Sequence, residues 1–198
     1  MKRLFLAAAS LSFGLVAGAP AFAAPAPQSG VYAIEPTHTQ VVFSVLHFGF
    51  TTYTGLFSNV SGTLHLNAAT PAESSLNVTI PVSSVQTTSD VLTGELKADD
   101  WFDAAKYPDA TFVSTSVRQT DPHDAIVTGT LTIRGISKPE TLAVHFIGAG
   151  VNPMDKKFTV GFEATGTIKR SDFGVSKYVP YVSDAVELHI AGAFEKQG

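Results

Sequence analysis

QTTSDVLTGELKADDWFDAAKYPDA, residues 86–110, is the stretch on which the fold turns. It interrupts a chain that otherwise reads, from residue 30 onward, as short β-strands in which apolar and polar residues alternate. Here Leu92 and Leu96 stand four apart, a helical spacing, and Trp101 and Phe102 form an adjacent aromatic pair. Ser89 before Asp90 caps a short helix, and Tyr107-Pro108 closes any helix that precedes it. The stretch therefore predicts a helical insert in an all-β domain. Its apolar side chains either plug a core or cover a cavity.

The flanking strands narrow that choice. Upstream, Val41, Phe43 and Val45 give an apolar face to residues 39–47, and Val60, Gly62, Leu64 and Leu66 give one to a second strand. Leu76, Val78 and Ile80 make a third, which Pro81 ends. Between the first two, Gly49 and Gly55 bracket FTTYT, read as a turn or a short helical excursion. Downstream, residues 111–119 form a fourth strand, Val127, Gly129, Leu131 and Ile133 a fifth, and Leu142, Val144 and Phe146 a sixth. Phe158, Val160, Phe162, Ala164 and Ile168 carry the seventh; Val186, Leu188, Ile190 and Phe194 carry the last.

About eight strands joined mainly by short turns imply antiparallel neighbours. Each has one apolar face, so the sheet closes on itself or packs on another. An eight-stranded barrel is filled by side chains or holds one small ligand. Gly62, Gly129, Gly166 and Gly192 interrupt the apolar faces and leave room inside. A barrel is thus expected over a sandwich. The insert points the same way, because a barrel already full has no inner surface left for Leu92, Leu96, Trp101 and Phe102.

The first residues bear on the compartment. Met1-Lys2-Arg3 is a short basic start, residues 4–19 are an apolar run of signal-peptide length, and Ala21-Phe22-Ala23 offers small residues for cleavage after Ala23. A transmembrane anchor needs about 20 apolar residues, more than this run supplies. Residues 1–23 are expected to be a cleaved signal, 24–30 (APAPQSG) a flexible leader, and 31–198 a single domain, with a periplasmic destination. No cysteine is present, which closes the lipoprotein route and excludes a disulfide framework. Removal of 23 residues from 198 leaves 175, and loss of Lys2 and Arg3 takes the formal charge from −4 to −6. A mildly acidic chain without basic blocks is a poor nucleic-acid binder.

Catalytic signatures do not gather. The chain has no nucleophile elbow, no histidine pair at zinc-ligand spacing and no glycine-rich phosphate loop. Of six histidines, His65, His145 and His189 alternate onto polar faces and His123 lies in a turn. His38 and His47 stand at opposite ends of one strand, too far apart to share a metal. His47 continues the apolar face of Val41, Phe43 and Val45 and is expected near a barrel mouth. Arg170 is read first as a salt-bridged turn with Asp172. The alternative has Arg170, or Lys177 with Tyr178, meeting a polar headgroup. Arg134 is expected to be a solvated edge residue.

Five fragments in order, THTQVVFSVLHFGF, GLFSNVSGTL, TTSDVLTGELKADDWFDAAKYPDATFVST, VTGTLTIRGISKPETLAV and IKRSDFGV, resemble the YceI-like family over about residues 31–195. DDWFDAAKYPDATF and GTLTIRGISKP are the most specific. The resemblance implies a lipocalin-like antiparallel barrel and an exported protein that binds, carries or sequesters a polyisoprenoid or similar amphiphile without catalysis. It implies no cofactor other than a bound lipid, no metal, no stable membrane insertion, and leaves a homodimer open. The residues expected against the tail are Phe43, Val45, His47, Leu64 and Val78 before the insert, and Leu92, Leu96, Trp101 and Phe102 within it. Beyond it come Phe112, Leu131, Phe146, Phe162, Ile168, Phe173 and Leu188. Arg170, Lys177 and Tyr178 are the headgroup candidates. Where relatives often show Arg-Asp and His-Leu in the insert, this chain reads Ser89-Asp90 and Glu95-Leu96, so a head fixed by such an arginine or histidine would be held differently here. An enzyme using His47 as base and a small outer-membrane barrel are the alternatives.

Overall fold

The alternation of the sequence becomes the alternation of the sheet. In β8 (Asp124–Ile133) Val127, Gly129 and Leu131 are buried while the threonines between them are half-buried. The computed structural model describes residues 25–198, so the expected signal segment lies outside the described residues. The other strands are β1 (Gly30–Ile34), β2 (Gln40–His47), β3 (Thr51–Phe57), β4 (Ser61–Leu66), β5 (Ser75–Pro81), β6 (Gln86–Thr87), β7 (Asp109–Gln119), β9 (Ile136–Val151), β10 (Phe158–Lys169) and β11 (Ala185–Lys196). Every ladder is antiparallel. Strands β1, β4, β5, β7, β8, β9, β10 and β11 follow one another around a ring that the β1–β11 pairing closes. This is the expected eight-stranded barrel.

The ring is complete at one end and split at the other. The C-terminal part of β11 pairs with β1 through Phe194–Ile34, whereas its earlier part, from Glu187 to Ala191, pairs with β2. Strand β2 continues into β3 and then the two-residue β6, which pairs only with β3. FTTYT is therefore mostly strand and not a helical excursion. The hairpin turn sits just before it, where Phe48 and Gly49 take left-handed φ values of 52° and 74°. Of residues 25–30, Ser29 accepts from the Ala68 N–H and Gln28 bonds both the Tyr32 hydroxyl and Lys196; Gly30 already belongs to β1.

At the split end sits the insert. Helix α1 (Asp90–Leu96) is capped by the Ser89 hydroxyl, which accepts from the Leu92 N–H at 3.3 Å. Turns fill the remainder up to β7. Leu96 and Trp101 are buried with Val85 and Val175, and Phe43, Phe57, Leu92 and Phe102 pack against them. At the closed end Tyr32, Val60 and Val160 are fully buried with Ile34 and Phe194 and form a solid plug.

Between plug and insert the inward residues behave differently. Phe43, Val45, Leu76, Val78, Leu142, Val144, Phe162 and Leu188 all point inward yet are only half-buried. Their uncovered surface faces a cavity. The insert covers one.

Candidate functional site

The cavity has a volume of about 710 Å³, well inside the roughly 300–1,000 Å³ typical of ligand pockets. Its wall is built from the inward faces of the barrel, with Leu92, Leu96, Trp101 and Phe102 of the insert on one side. Of the glycines expected to leave room, Gly192 lies on the cavity wall, while a Cβ at Gly62, Gly129 or Gly166 would meet a neighbour within 3.0 Å. The Phe112 ring occupies the space at Gly129, where a Cβ would stand 2.4 Å from it, and the Phe43 ring does the same at Gly55. At the split end, Val41, Phe43 and Val45 of β2 and Tyr53 and Phe57 of β3 complete the wall.

Most of the expected lining is in place. Phe43, Val45, His47, Leu64 and Val78 line the cavity from the first half of the chain; Phe112, Leu131, Phe162, Ile168, Phe173 and Leu188 line it from the second. Phe146 does not. It packs 5.4 Å from Phe162, which takes the wall position, and stacks on His123 at 6.0 Å. Next to it, β9 bulges against β10 where Phe162 pairs with Phe146 and Gly161 with Gly148. His47 is exposed at the rim, edge-on to Phe48 and bridged to Val182.

The headgroup candidates separate. Tyr178 is on the wall and half open to solvent. Lys177 is off the wall: its ammonium pairs with Asp100, the bond that chiefly raises its pKa, and stands over the Trp101 and Tyr178 rings. Arg170 lines the cavity but is buried, and it is not salt-bridged to Asp172. Its Nε donates to the Ser183 carbonyl, Nη1 to Val175 and Lys177, and Nη2 to Val182, at 2.7–2.9 Å. Burial lowers its pKa, and the charge of Asp184 opposes that. Asp184 in turn accepts from the Ser171 N–H and hydroxyl. Arg170 thus clasps the loop between β10 and β11. Arg134, expected to be solvated, ties the β8–β9 turn to that loop and to the insert through Gly174 and Asp99 carbonyls.

The wall also holds residues that the sequence did not single out, among them Val41, Phe57, Leu76, Leu142, Val144 and Ile190, and one of them is charged. Glu140 is half-buried on the cavity wall, in phase with Leu142 and Val144. Its position two residues before Leu142 is the signal, but Pro139 just ahead of it looks like a strand breaker. Strand β9 instead runs through it from Ile136. Among the described residues no trio of histidine and acidic groups is placed to hold a metal ion.

A family model described as the YceI-like domain matches residues 32–194. The chain belongs to the YceI-like family. It is 37% identical over 180 residues to Protein YceI of Escherichia coli O17:K52:H18, covering 90% of this chain and 93% of that one. Among solved structures, Burkholderia cenocepacia BcnA superposes with a TM-score of 0.73 at 27% identity, over 81% of this chain and 98% of that one. A polyisoprenoid binding domain from Saccharophagus degradans shares the fold with a TM-score of 0.59 at 17% identity, over 86% and 100% of the two chains. The superposition on BcnA agrees with the barrel.

Proposed function

We propose that this protein binds a long apolar chain, a polyisoprenoid or a similar amphiphile, inside the barrel and carries or sequesters it without chemical change. The observation that carries this reading is the apolar cavity of about 710 Å³. Each buried CH₂ contributes about 0.8 kcal/mol, so a tail of several isoprene units binds tightly through the walls alone. The fold shared with the polyisoprenoid binding domain of Saccharophagus degradans supports the same ligand class. The signal-like residues 1–23 support a periplasmic site of action.

Both alternatives fit less well. His47, the candidate general base, stands at the exposed rim with an aromatic ring as its neighbour. An outer-membrane barrel turns an apolar band outward, whereas Glu163, Thr165, Thr167, Glu187 and His189 are exposed on the outside of β10 and β11. No helix among the described residues is long and apolar enough to cross a membrane.

Organic extraction of gently purified protein followed by mass spectrometry is expected to yield an isoprenoid or fatty amphiphile, and the delipidated protein is expected to bind a fluorescent prenyl probe. Empty extracts together with no probe binding would overturn the proposal.

A further inference from the structure

Several polar side chains on the cavity wall are already occupied. The Thr39 hydroxyl exchanges hydrogen bonds with the backbone of Ala193, the Ser74 hydroxyl accepts from the Asn67 N–H, and the Tyr53 hydroxyl meets Thr88. Thr87 donates to the Ser89 carbonyl. Arg170 is the one Lys or Arg on the wall among the described residues, and backbone carbonyls engage four of its five N–H donors. Glu95, His47 and Tyr178 are exposed at the rim.

Two groups are different: the Trp101 indole N–H, buried on the wall without a partner, and Glu140, the one carboxyl on the wall away from the rim. Glu140 pairs with Gly129 across the β8–β9 ladder and shares its face with Leu142 and Val144, while the Phe112 ring fills the space over Gly129. Its carboxyl group therefore stands on an apolar wall. Burial raises its pKa, the negative charge of Asp172 raises it further, and no hydrogen bond from the described residues offsets either. A tail that fills the cavity strips solvent from the wall, and a carboxylate stripped of solvent without gaining a donor is costly.

We propose that Glu140 reads the ligand's polar head: the cavity takes amphiphiles whose head donates a hydrogen bond, as a hydroxyl, phenol, amide or ammonium does, and turns away phosphate and carboxylate heads. This rests on the lipid-binding reading and adds the head to the tail. An anionic head meets repulsion from Glu140 and Asp172, and the guanidinium that would pair with it has four of its five donors committed to the loop. A head without a donor leaves the carboxylate unsatisfied. Only a donor resolves both.

Three ligands with one tail separate these cases: geranylgeraniol, its methyl ether and its monophosphate, titrated by calorimetry into delipidated wild type, Glu140→Gln and Glu140→Leu. Wild type is expected to bind the alcohol at least about tenfold tighter than the ether, since a hydrogen bond to a charged group is among the stronger ones, and the phosphate most weakly. Glu140→Leu, an apolar side chain on an apolar wall, is expected to fold with unchanged or higher Tm, to erase the preference for alcohol and to bind the ether more tightly. Glu140→Gln keeps the shape and an acceptor, so it retains part of that preference while readmitting the phosphate. Equal binding of alcohol and ether by wild type, tightest binding of the phosphate, or an undiminished preference in Glu140→Leu overturns the headgroup assignment alone. If neither alcohol nor ether binds, the lipid-binding reading falls with it.

Discussion

At the residue scale, Arg170 shows how a charge on a cavity wall can be architectural. Loops that carry their own backbone polar groups inward must satisfy them, and the loop between β10 and β11 does so through one planar guanidinium that reaches four carbonyls. Arg170→Ala leaves those carbonyls without partners beside an apolar cavity and opens a void under Trp101, whose ring lies 5.8 Å from the guanidinium. The expected cost is about 3 kcal/mol, which for a domain of this size lowers Tm by roughly 6–12 °C. Arg170→Lys should recover little, because a single ammonium cannot reproduce the fork of donors. Thermal unfolding followed by circular dichroism checks both; a lysine variant as stable as wild type would mean that charge, and not geometry, is what the loop needs. None of this was legible in the sequence. Arg170-Ser171-Asp172 reads as an ion pair because the two charges are neighbours in the chain, whereas the carbonyls that hold Arg170 come from residues 175–183.

At the scale of elements, the insert is the part that the sequence disclosed best. Its helix, its Ser89 cap and the inward placement of Leu92, Leu96, Trp101 and Phe102 follow from a four-residue spacing and an aromatic pair set in a chain of period two. Strand limits were less legible. Pro139 and Gly55 look like breakers, yet β9 runs through the first and β3 through the second, because a ladder tolerates a missing donor or side chain where neighbours fill the gap. Pro139, next to Glu140, masks it as a strand residue. The insert also supplies its own reporter, since Trp101 is the only tryptophan in the chain and forms part of the cavity wall. Filling the cavity with a prenyl alcohol is expected to shift or quench Trp101 emission in step with calorimetric binding. Emission that stays constant while heat shows saturation would reduce the insert to packing and place the ligand elsewhere in the barrel.

At the scale of the whole molecule, β11 changes partner along its length, from β2 to β1, and the five residues between those two strands form the corner. Ala193 of β11 sits at the crossing. Its carbonyl accepts from the Glu35 N–H, and the Thr39 hydroxyl binds its N–H at 3.0 Å. Alternation could predict eight strands and a barrel, but not this seam, which depends on long-range pairing. Glu35 holds the corner by accepting from the Thr37 and His38 backbone N–H groups and from the His38 ring. Burial alone would raise its pKa; the hydrogen bonds from Thr37 and His38 outweigh that and lower it from the usual 4.5 to about 2. A folded-state value below the unfolded one stabilises the fold fully above about 4.5, and that stabilisation is lost as pH falls through about 2. Glu35→Gln removes this contribution. The variant is therefore expected to be less stable than wild type at neutral pH, to show a shallower loss of stability between those two values, and to converge on wild type in strong acid. Urea midpoints measured across that range decide it: parallel profiles for the two proteins would show that the corner is held by its backbone pairing with Ala193 and that the carboxylate is incidental to the seam.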